Sequence, residues 1–533
     1  MYSHPRSFND RVFTAWRSPN RFTKNPDIIK QPSGRLLLVY SDTDGHWAQQ
    51  SEVIALLKSD DDGRTWEKYR EIEKARQPED ERLVTPRISI LNDGRLVVLC
   101  DHDDFGYFHE DQESGNWAWW SEDNGETWSG HRLTGIMGFE PDRMIDLPDG
   151  TLGVSSHIMR GESQEFAQIL SVSEDGGKTW KERATIAHDG YHRFCEGAVV
   201  ILNNGNEIAC VMRENHSAGI PCFAVFSKDS GRTWSPPQML PFALHRPYAK
   251  QLPDGRVLVT GRHVNGGAGT YAWCGDLRKE AGTWSVGGPR SVKTINLSDE
   301  ALVIEHGASD GARYSLLPPE SARSTFSFEA RVRIEGPPDA PAAIMSVGTH
   351  NQHGGKSVVY LSSNRIGTSF DRPDRNIPVD MTEWRKITLR HRKGLFEVLI
   401  DGEKAISGCV FHDQGVPSEF HGANPQNRTT FGQIGESGKS FWRSVSYEVE
   451  NPTLENTSWK WEAAGGEHPD QYQRERLVQF HANDPHQAPN PDHGYSSWLC
   501  LDDGTIAFVD YTNCGDTPGL SHIVGLNFRL EEI

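Results

Sequence analysis

No run in this 533-residue chain approaches the ~20 consecutive apolar residues that a membrane-spanning helix needs. Positive charge is also scarce: 55 Lys and Arg stand against 74 Asp and Glu, a formal net charge of −19. Nucleic acid and anionic lipid are bound by clustered cations, so this balance excludes a generally basic nucleic-acid binder and disfavours a membrane surface. It leaves room for one small anion in a local basic pocket. The 8 cysteines lie at 100, 195, 210, 222, 274, 409, 500 and 514, with no C-x-x-C pair. That spacing supports neither a zinc site nor a dithiol redox motif. Cys100, Cys210 and Cys500 sit in apolar runs and read as buried free thiols. The N-terminal MYSHPRSFND has no apolar signal-peptide core. As written, the chain reads as cytoplasmic, or as secreted or periplasmic if a leader has been removed. Helix-forming runs are missing between the strand patterns, which disfavours a parallel βαβ fold.

What the chain has instead is turns, large aromatics and repetition. Its 51 Gly, 30 Pro and 16 Trp suit many short strands. At roughly 150 residues per domain the length predicts three or four units, unless repeats override the rule. Repeats do. SDDDGRTW (Ser59 to Trp66), SEDNGETW (Ser121 to Trp128), SEDGGKTW (Ser173 to Trp180) and SKDSGRTW (Ser227 to Trp234) share S-x-D-x-G-x-T-W, and an eroded copy ends at Trp284. Asp accepts from turn amides, Gly supplies a positive φ and Trp buries its ring between sheets. Asp61, Asp123, Asp175 and Asp229 therefore read as turn residues. A second unit, an apolar strand around a turn glycine, recurs six times, at Gly34, Gly94, Gly150, Gly205, Gly255 and Gly504. Six units of about 50 residues predict an all-β protein, a six-bladed β-propeller. The strand RVFTAWR (Arg11–Arg17) is expected to pair with the last blade and close the ring.

The octapeptide is the Asp-box, and the chain resembles the sialidase (neuraminidase) superfamily of six-bladed, BNR-repeat propellers over residues ~20–290 and ~470–533. Between Trp284 and Gly494 the spacing breaks, and alternating strands such as WRKITLRHRKGLFEVLIDGEKA resemble concanavalin-like (laminin-G-like) jelly rolls. The expected domains are blades one to five over 1–288, an inserted lectin-like β-sandwich over 289–465, and blade six with ring closure over 466–533. The sandwich is expected to lie between blades five and six, as a carbohydrate-binding, mouth-shaping or purely structural module.

Residues at equal offsets from the turn glycines should meet in the central channel. Nine before the turn stand Glu196, Arg246 and Tyr495; seven before it stand Asp27, Arg87 and Arg143; seven or eight after it stand Asp42, Asp101, His157, Arg213, Arg262, His263 and Tyr511. Buried charges need partners or a ligand. The resemblance implies three roles: Glu196 in EGAVVILNNG as the activating carboxylate, Tyr495 in GYSSWLCLDDG as the nucleophile, and Arg213 as a carboxylate-binding arginine. A neutral Tyr avoids the repulsion that an anionic nucleophile meets beside a sugar carboxylate. Arginines bind that carboxylate bidentately. The family's acid, on the loop after the first inner strand, corresponds here to Asp44 or Asp42, with Asp44 the better match. The family's first-strand arginine is absent from NPDIIKQP. Arg87, Arg246, Arg262 and Arg143 are the remaining clamp candidates, with His157 beside them, and the sugar need not be a sialic acid.

The leading expectation is an exo-acting, retaining glycoside hydrolase on an acidic sugar, with no cofactor and an acidic glycan as partner. Alternatives are a lyase on uronic-acid glycans, using His157, Tyr511, Arg213 and Arg262, and a non-catalytic glycan-binding propeller. Structural salt bridges remain open for Glu196, Arg87 and Arg143. Metal binding has only the acidic stretch Asp101 to Phe105 with His109 behind it, a weak pattern.

Overall fold

Six four-stranded antiparallel sheets and a two-sheet insert make up the computed structural model. It describes the chain apart from residues 1–3, 77–81, 104–115, 131, 162–164, 217–219, 264–266, 290–294, 306–311, 321–322, 349–355, 371–372, 410–428, 435–436, 484–490 and 516–519. Each small sheet is a blade. The innermost strands are Phe22–Lys30, Arg82–Ile90, Ile145–Asp146, Phe194–Leu202, Leu244–Gln251 and Ser497–Cys500. No described helix is long and apolar enough to cross a membrane.

Runs such as Leu36–Leu37–Leu38–Val39 are apolar at every position because both faces of a blade are covered. Ile28, Leu38 and Tyr40 pack on Leu499, Ala507 and Ile523 of blade six. The opposite face of the same sheet, through Leu37, Val39 and Leu56, packs on Ile88, Val98 and Trp119 of blade two. Equivalent cores join blades two and three, three and four, four and five, and five and six. Six such interfaces close the ring. The N-terminal strand Phe13–Trp16 supplies the outer strand of blade six, as expected, with Phe13 opposite Gly525. A Cβ at Gly525 would lie 2.5 Å from the Phe13 ring, so a side chain there would displace that ring of the closing strand.

The Asp-boxes lie between the third and fourth strands of blades one to four. In the first, Ser59 Oγ donates to Asp61 at 2.8 Å and accepts from Gly63 N. Asp61 accepts from Thr65 N and Oγ1, and the Trp66 indole donates to Gly63 O. The same bonds recur around Asp123, Asp175 and Asp229. The strands alternate in direction, so these turns lie at the end of the blades opposite the cavity described below. The turn reading of these aspartates holds.

The insert enters elsewhere than expected. Strand Leu477–Ala482 pairs with Gly269–Gly275 and is the outer strand of blade five. The sandwich therefore interrupts blade five between its third and fourth strands, rather than separating blades five and six. The segment carrying that outer strand lacks the strand–turn–Gly unit that marks an inner hairpin, so its membership is written only in the pairing. The sandwich itself is two antiparallel sheets around a core that includes Phe328, Val332, Met345, Phe431, Trp442 and Tyr447. Strand Thr325–Glu335 alternates between core and surface as a one-sided sheet demands. Leu317 and Leu454 of the insert join the core between blades three and four. Cys100 and Cys210 are buried free thiols; Cys500 is only half-buried.

Beneath the cavity, a charged layer ties opposite blades. Arg143 of blade three donates from Nε to both oxygens of Asp27 of blade one, at 3.0 and 2.9 Å. Its Nη2 reaches Ile28 O at 2.7 Å and Ser497 Oγ of blade six at 2.8 Å. The guanidinium lies 4.5 Å from the centre of the Tyr248 ring of blade five. Burial pushes the Asp27 carboxyl up, but the Arg143 and Arg87 charges outweigh it and hold it low. Arg87, 3.9 Å from Asp27, is brought down to about 10 by burial and the Arg246 charge. Removing one partner of a buried pair leaves the other uncompensated. Asp27→Ala is expected to lose about 3–5 kcal/mol by urea unfolding, and Asp27→Asn less.

Candidate active site

A bulge interrupts the inner strands where they enter the channel. The pairing register slips between Lys24 and Asp27, Val84 and Arg87, Cys195 and Ala198, and His245 and Tyr248. At each slip one residue has a positive φ: Asn25 (54°), Thr85 (49°), Glu196 (50°) and Arg246 (52°). Glu140 (47°) and Gly494 (90°) complete the set in blades three and six. Non-glycine residues rarely adopt this conformation, and strain of this kind concentrates at functional sites. At Gly494 a Cβ would lie 2.5 Å from Arg262 Cβ, so a side chain is excluded there.

The bulges open onto a cavity of about 410 Å³, lined among others by Glu140, Glu196, Arg213, Arg262 and Tyr495. The Tyr495 hydroxyl lies 3.2 Å from Glu196 Oε1 and 3.0 Å from Glu140 Oε1. Arg213 Nη1 donates to Glu196 Oε1 at 2.8 Å, and the Arg246 amide donates to Oε2 at 2.8 Å. Glu140 is pushed up to about 8 by burial and the Glu196 charge. For Glu196 burial acts upward too, but Arg213, the Glu140 hydrogen bond and Arg246 bring it below the usual carboxylate range. The two carboxylates thus hold one proton at neutral pH, on Glu140, and leave Glu196 ionised as an acceptor. Burial and both carboxylates hold Tyr495 well above 10, so its hydroxyl is neutral.

Arg262 forms the other cationic wall, 5.7 Å from the Tyr495 ring centre, with Nε on His493 O at 2.6 Å. Its Nη2 is 3.3 Å from Asp492, whose carboxylate also accepts from Tyr511 at 2.5 Å. Lys24 lines the cavity from blade one. His157 sits between the rings of Phe139 and Phe166, 5.6 and 5.0 Å away. It accepts from Glu196 N at 3.5 Å, and burial lowers it to about 3, which makes it a neutral wall residue.

Of the residues expected from sequence, the structure brings together Tyr495, Glu196, Arg213, Arg262 and His157. Tyr511 lines the cavity with them; the remaining clamp and acid candidates do not. Arg143 and Arg87 are in the charged layer beneath. Arg246 is buried, with its guanidinium on the carbonyls of Glu140 and Pro141 at 3.0 and 3.1 Å, so it braces the blade-three bulge. Asp44 is outside the lining, and its carboxylate accepts from the amides of Gln49 and Gln50 at 2.9 and 2.8 Å. Asp42 is engaged by Ser18 and Arg21. Asp44 closes the turn, and Asp42 ties its strand to the segment before the first inner strand. Asp104, Phe105 and His109 of the metal pattern lie outside the described residues; no group of metal-ligand side chains occurs among those described.

Sequence reasoning missed Glu140, Lys24, His46, Trp47 and Asp492. Glu140 stands ten residues before its turn glycine instead of nine, so the offset count passed over it. Its signal was the x-Pro pattern shared by Asn25–Pro26, Thr85–Pro86, Glu140–Pro141 and Arg246–Pro247.

These blades and their Asp-boxes define the class: a six-bladed β-propeller built from BNR repeats. The family model described as the BNR repeat-like domain matches residues 3–134 and 106–280, and the chain belongs to that family. Among solved structures, the chain is similar to a Dyadobacter fermentans protein of unknown function, at 14% identity over 97% of this chain and 98% of that one, with TM-score 0.46. It is similar to a Trypanosoma rangeli sialidase in complex with sialic acid, at 11% over 85% and 96%, TM-score 0.33. It is also similar to a Penicillium chrysogenum alpha-L-arabinanase complexed with arabinobiose, at 16% over 55% and 92%, TM-score 0.39. No curated protein matches the chain.

The carboxylate pair predicts a pH dependence. Glu140 binds its proton more tightly folded than unfolded, so the stability it contributes is present below the ordinary glutamate range. It is lost as pH rises towards about 8. Melting temperature should fall across this interval in the wild type, and Glu140→Gln should flatten the fall.

Proposed function

We propose that the protein is a retaining glycoside hydrolase that removes a terminal acidic sugar, with Tyr495 as nucleophile and Glu196 as its base. The observation that carries this reading is the neutral Tyr495 hydroxyl 3.2 Å from an ionised Glu196, itself fixed by Arg213. As the bond from the anomeric carbon to the leaving oxygen breaks, Tyr495 oxygen bonds to that carbon and its proton passes to Glu196. The partly exposed Arg213 and Arg262 flank Tyr495 and supply the charge a sugar carboxylate needs. Blade one supplies Lys24 where the sialidase pattern has arginine, a point charge without a fork. That favours an acidic sugar whose carboxylate is turned towards blades four and five. Glu140, protonated beside the same hydroxyl, hydrogen-bonds the phenolate oxygen that leaves when water releases the sugar, while Glu196 returns the proton.

The test is turnover of 4-methylumbelliferyl glycosides of N-acetylneuraminic, glucuronic and galacturonic acids, with product configuration read by NMR. Tyr495→Phe is expected to reduce kcat/KM by at least about 1,000-fold and Glu196→Gln by about 100-fold or more. Full activity in Tyr495→Phe refutes the nucleophile. Release of an unsaturated uronate from a 4-linked uronic-acid oligosaccharide, without consumption of water, assigns a lyase instead. Binding without turnover assigns a glycan-binding propeller.

A further inference from the structure

Asp44 is outside the cavity, and the protonated Glu140 is set against the nucleophile, 3.0 Å from the Tyr495 hydroxyl, yet the turn that carries Asp44 presents another group for the leaving oxygen. His46 lines the cavity from the turn after Leu36–Thr43, with about half of its side chain exposed. Its Nδ1 is hydrogen-bonded to Asp492 Oδ2, which reaches it from the segment before the inner strand of blade six. Asp492 is itself held: it is buried, its Oδ1 accepts from Tyr511 at 2.5 Å, and its amide donates to Asn513 Oδ1 at 2.9 Å. Four further hydrogen bonds fix the turn. Lys24 Nζ donates to His46 O, Thr43 Oγ1 donates to Gly45 O at 2.6 Å, and Asp44 accepts from Gln49 and Gln50. The ring is edge-on to Trp47 and Phe22, at 5.2 and 6.4 Å. A carboxylate on Nδ1 sets the tautomer and leaves Nε2 as the reacting nitrogen. Tyr495 is three residues beyond Asp492, so the imidazole and the nucleophile bound one cavity from its rim and from its bulge.

We propose that His46, oriented by Asp492, is the catalytic residue that protonates the leaving group; this rests on the hydrolase reading above. Doubly protonated His46 gives its Nε2 proton to the glycosidic oxygen as the carbon–oxygen bond breaks and Tyr495 bonds to the anomeric carbon. It keeps the Nδ1 proton on Asp492. In the second half, neutral Nε2 takes a proton from water, the water oxygen bonds to the anomeric carbon, and Tyr495 leaves and recovers its proton from Glu196. Protons and bonds balance, and no co-reactant is needed. His46 touches the leaving group; Asp492 is a positioning residue.

The experiment varies the leaving group on one sugar: the 4-methylumbelliferyl glycoside that the wild type turns over, and the methyl glycoside of the same sugar. Methylumbelliferone departs without a proton; methanol does not. His46→Gln is expected to lose about 100-fold or more in kcat/KM on the methyl glycoside and less than about 10-fold on the aryl glycoside, and Asp492→Asn to follow the same pattern. Tyr495→Phe should lose both substrates alike. Equal losses on the two glycosides in a His46→Gln enzyme with wild-type melting temperature, or no loss on either, overturns the proposal and leaves the nucleophile intact. Absence of wild-type turnover on every glycoside overturns both readings.

Discussion

Everything at the mouth of this propeller depends on one backbone constraint, a positive-φ residue where each inner strand enters the channel. A regular strand sends alternate side chains into the two interfaces with neighbouring blades. The break in that alternation brings Asn25, Thr85, Glu140 and Glu196 to the cavity. Six positive-φ residues, Asn25, Thr85, Glu140, Glu196, Arg246 and Gly494, form a ring. In blades three and six that residue stands ten places before the turn glycine, one more than in the others. These two blades face each other across the channel, and there Tyr495 reaches Glu140 at 3.0 Å.

Charge is divided between two levels. Below, Asp27 and Arg143 are buried against each other and against Ser497 and Tyr248, and they brace opposite blades. Above, Arg213 and Arg262 keep part of their guanidinium surface towards the cavity. The lower level is a frame and the upper one is available to a ligand. On the function proposed above, an acidic exterior around this cationic wall would admit one small carboxylate and discourage a polyanion.

The fold was legible because its signals are local. Ser, Asp, Gly, Thr and Trp close a turn through bonds made inside eight residues, so four copies announce four blades whatever surrounds them. Both-face burial gave the apolar hairpins their continuous runs. The position of the insert was not legible, because Leu477–Ala482 is recognised as blade five only through its pairing with Gly269–Gly275. Within the site, Tyr495, Glu196, Arg213 and Arg262 came from offsets to the turn glycines. Arg87 and Arg143 shared a regular offset, but theirs belongs to the layer below. Glu140 was hidden by one extra residue. In SDTDGHW the aspartates drew attention, and His46 faces the cavity because Asp44 holds the turn and Asp492, far away in sequence, holds the ring.

The central claim is that a neutral tyrosine, not a carboxylate, takes the sugar. It is tested most directly by trapping the intermediate with a fluorinated glycosyl fluoride of the acidic sugar and locating the added mass by peptide mass spectrometry. The account predicts one adduct per chain, on the peptide containing Tyr495, and none in Tyr495→Phe. An adduct on Glu140 or Glu196, or full turnover of substrate with no covalent species, would contradict it.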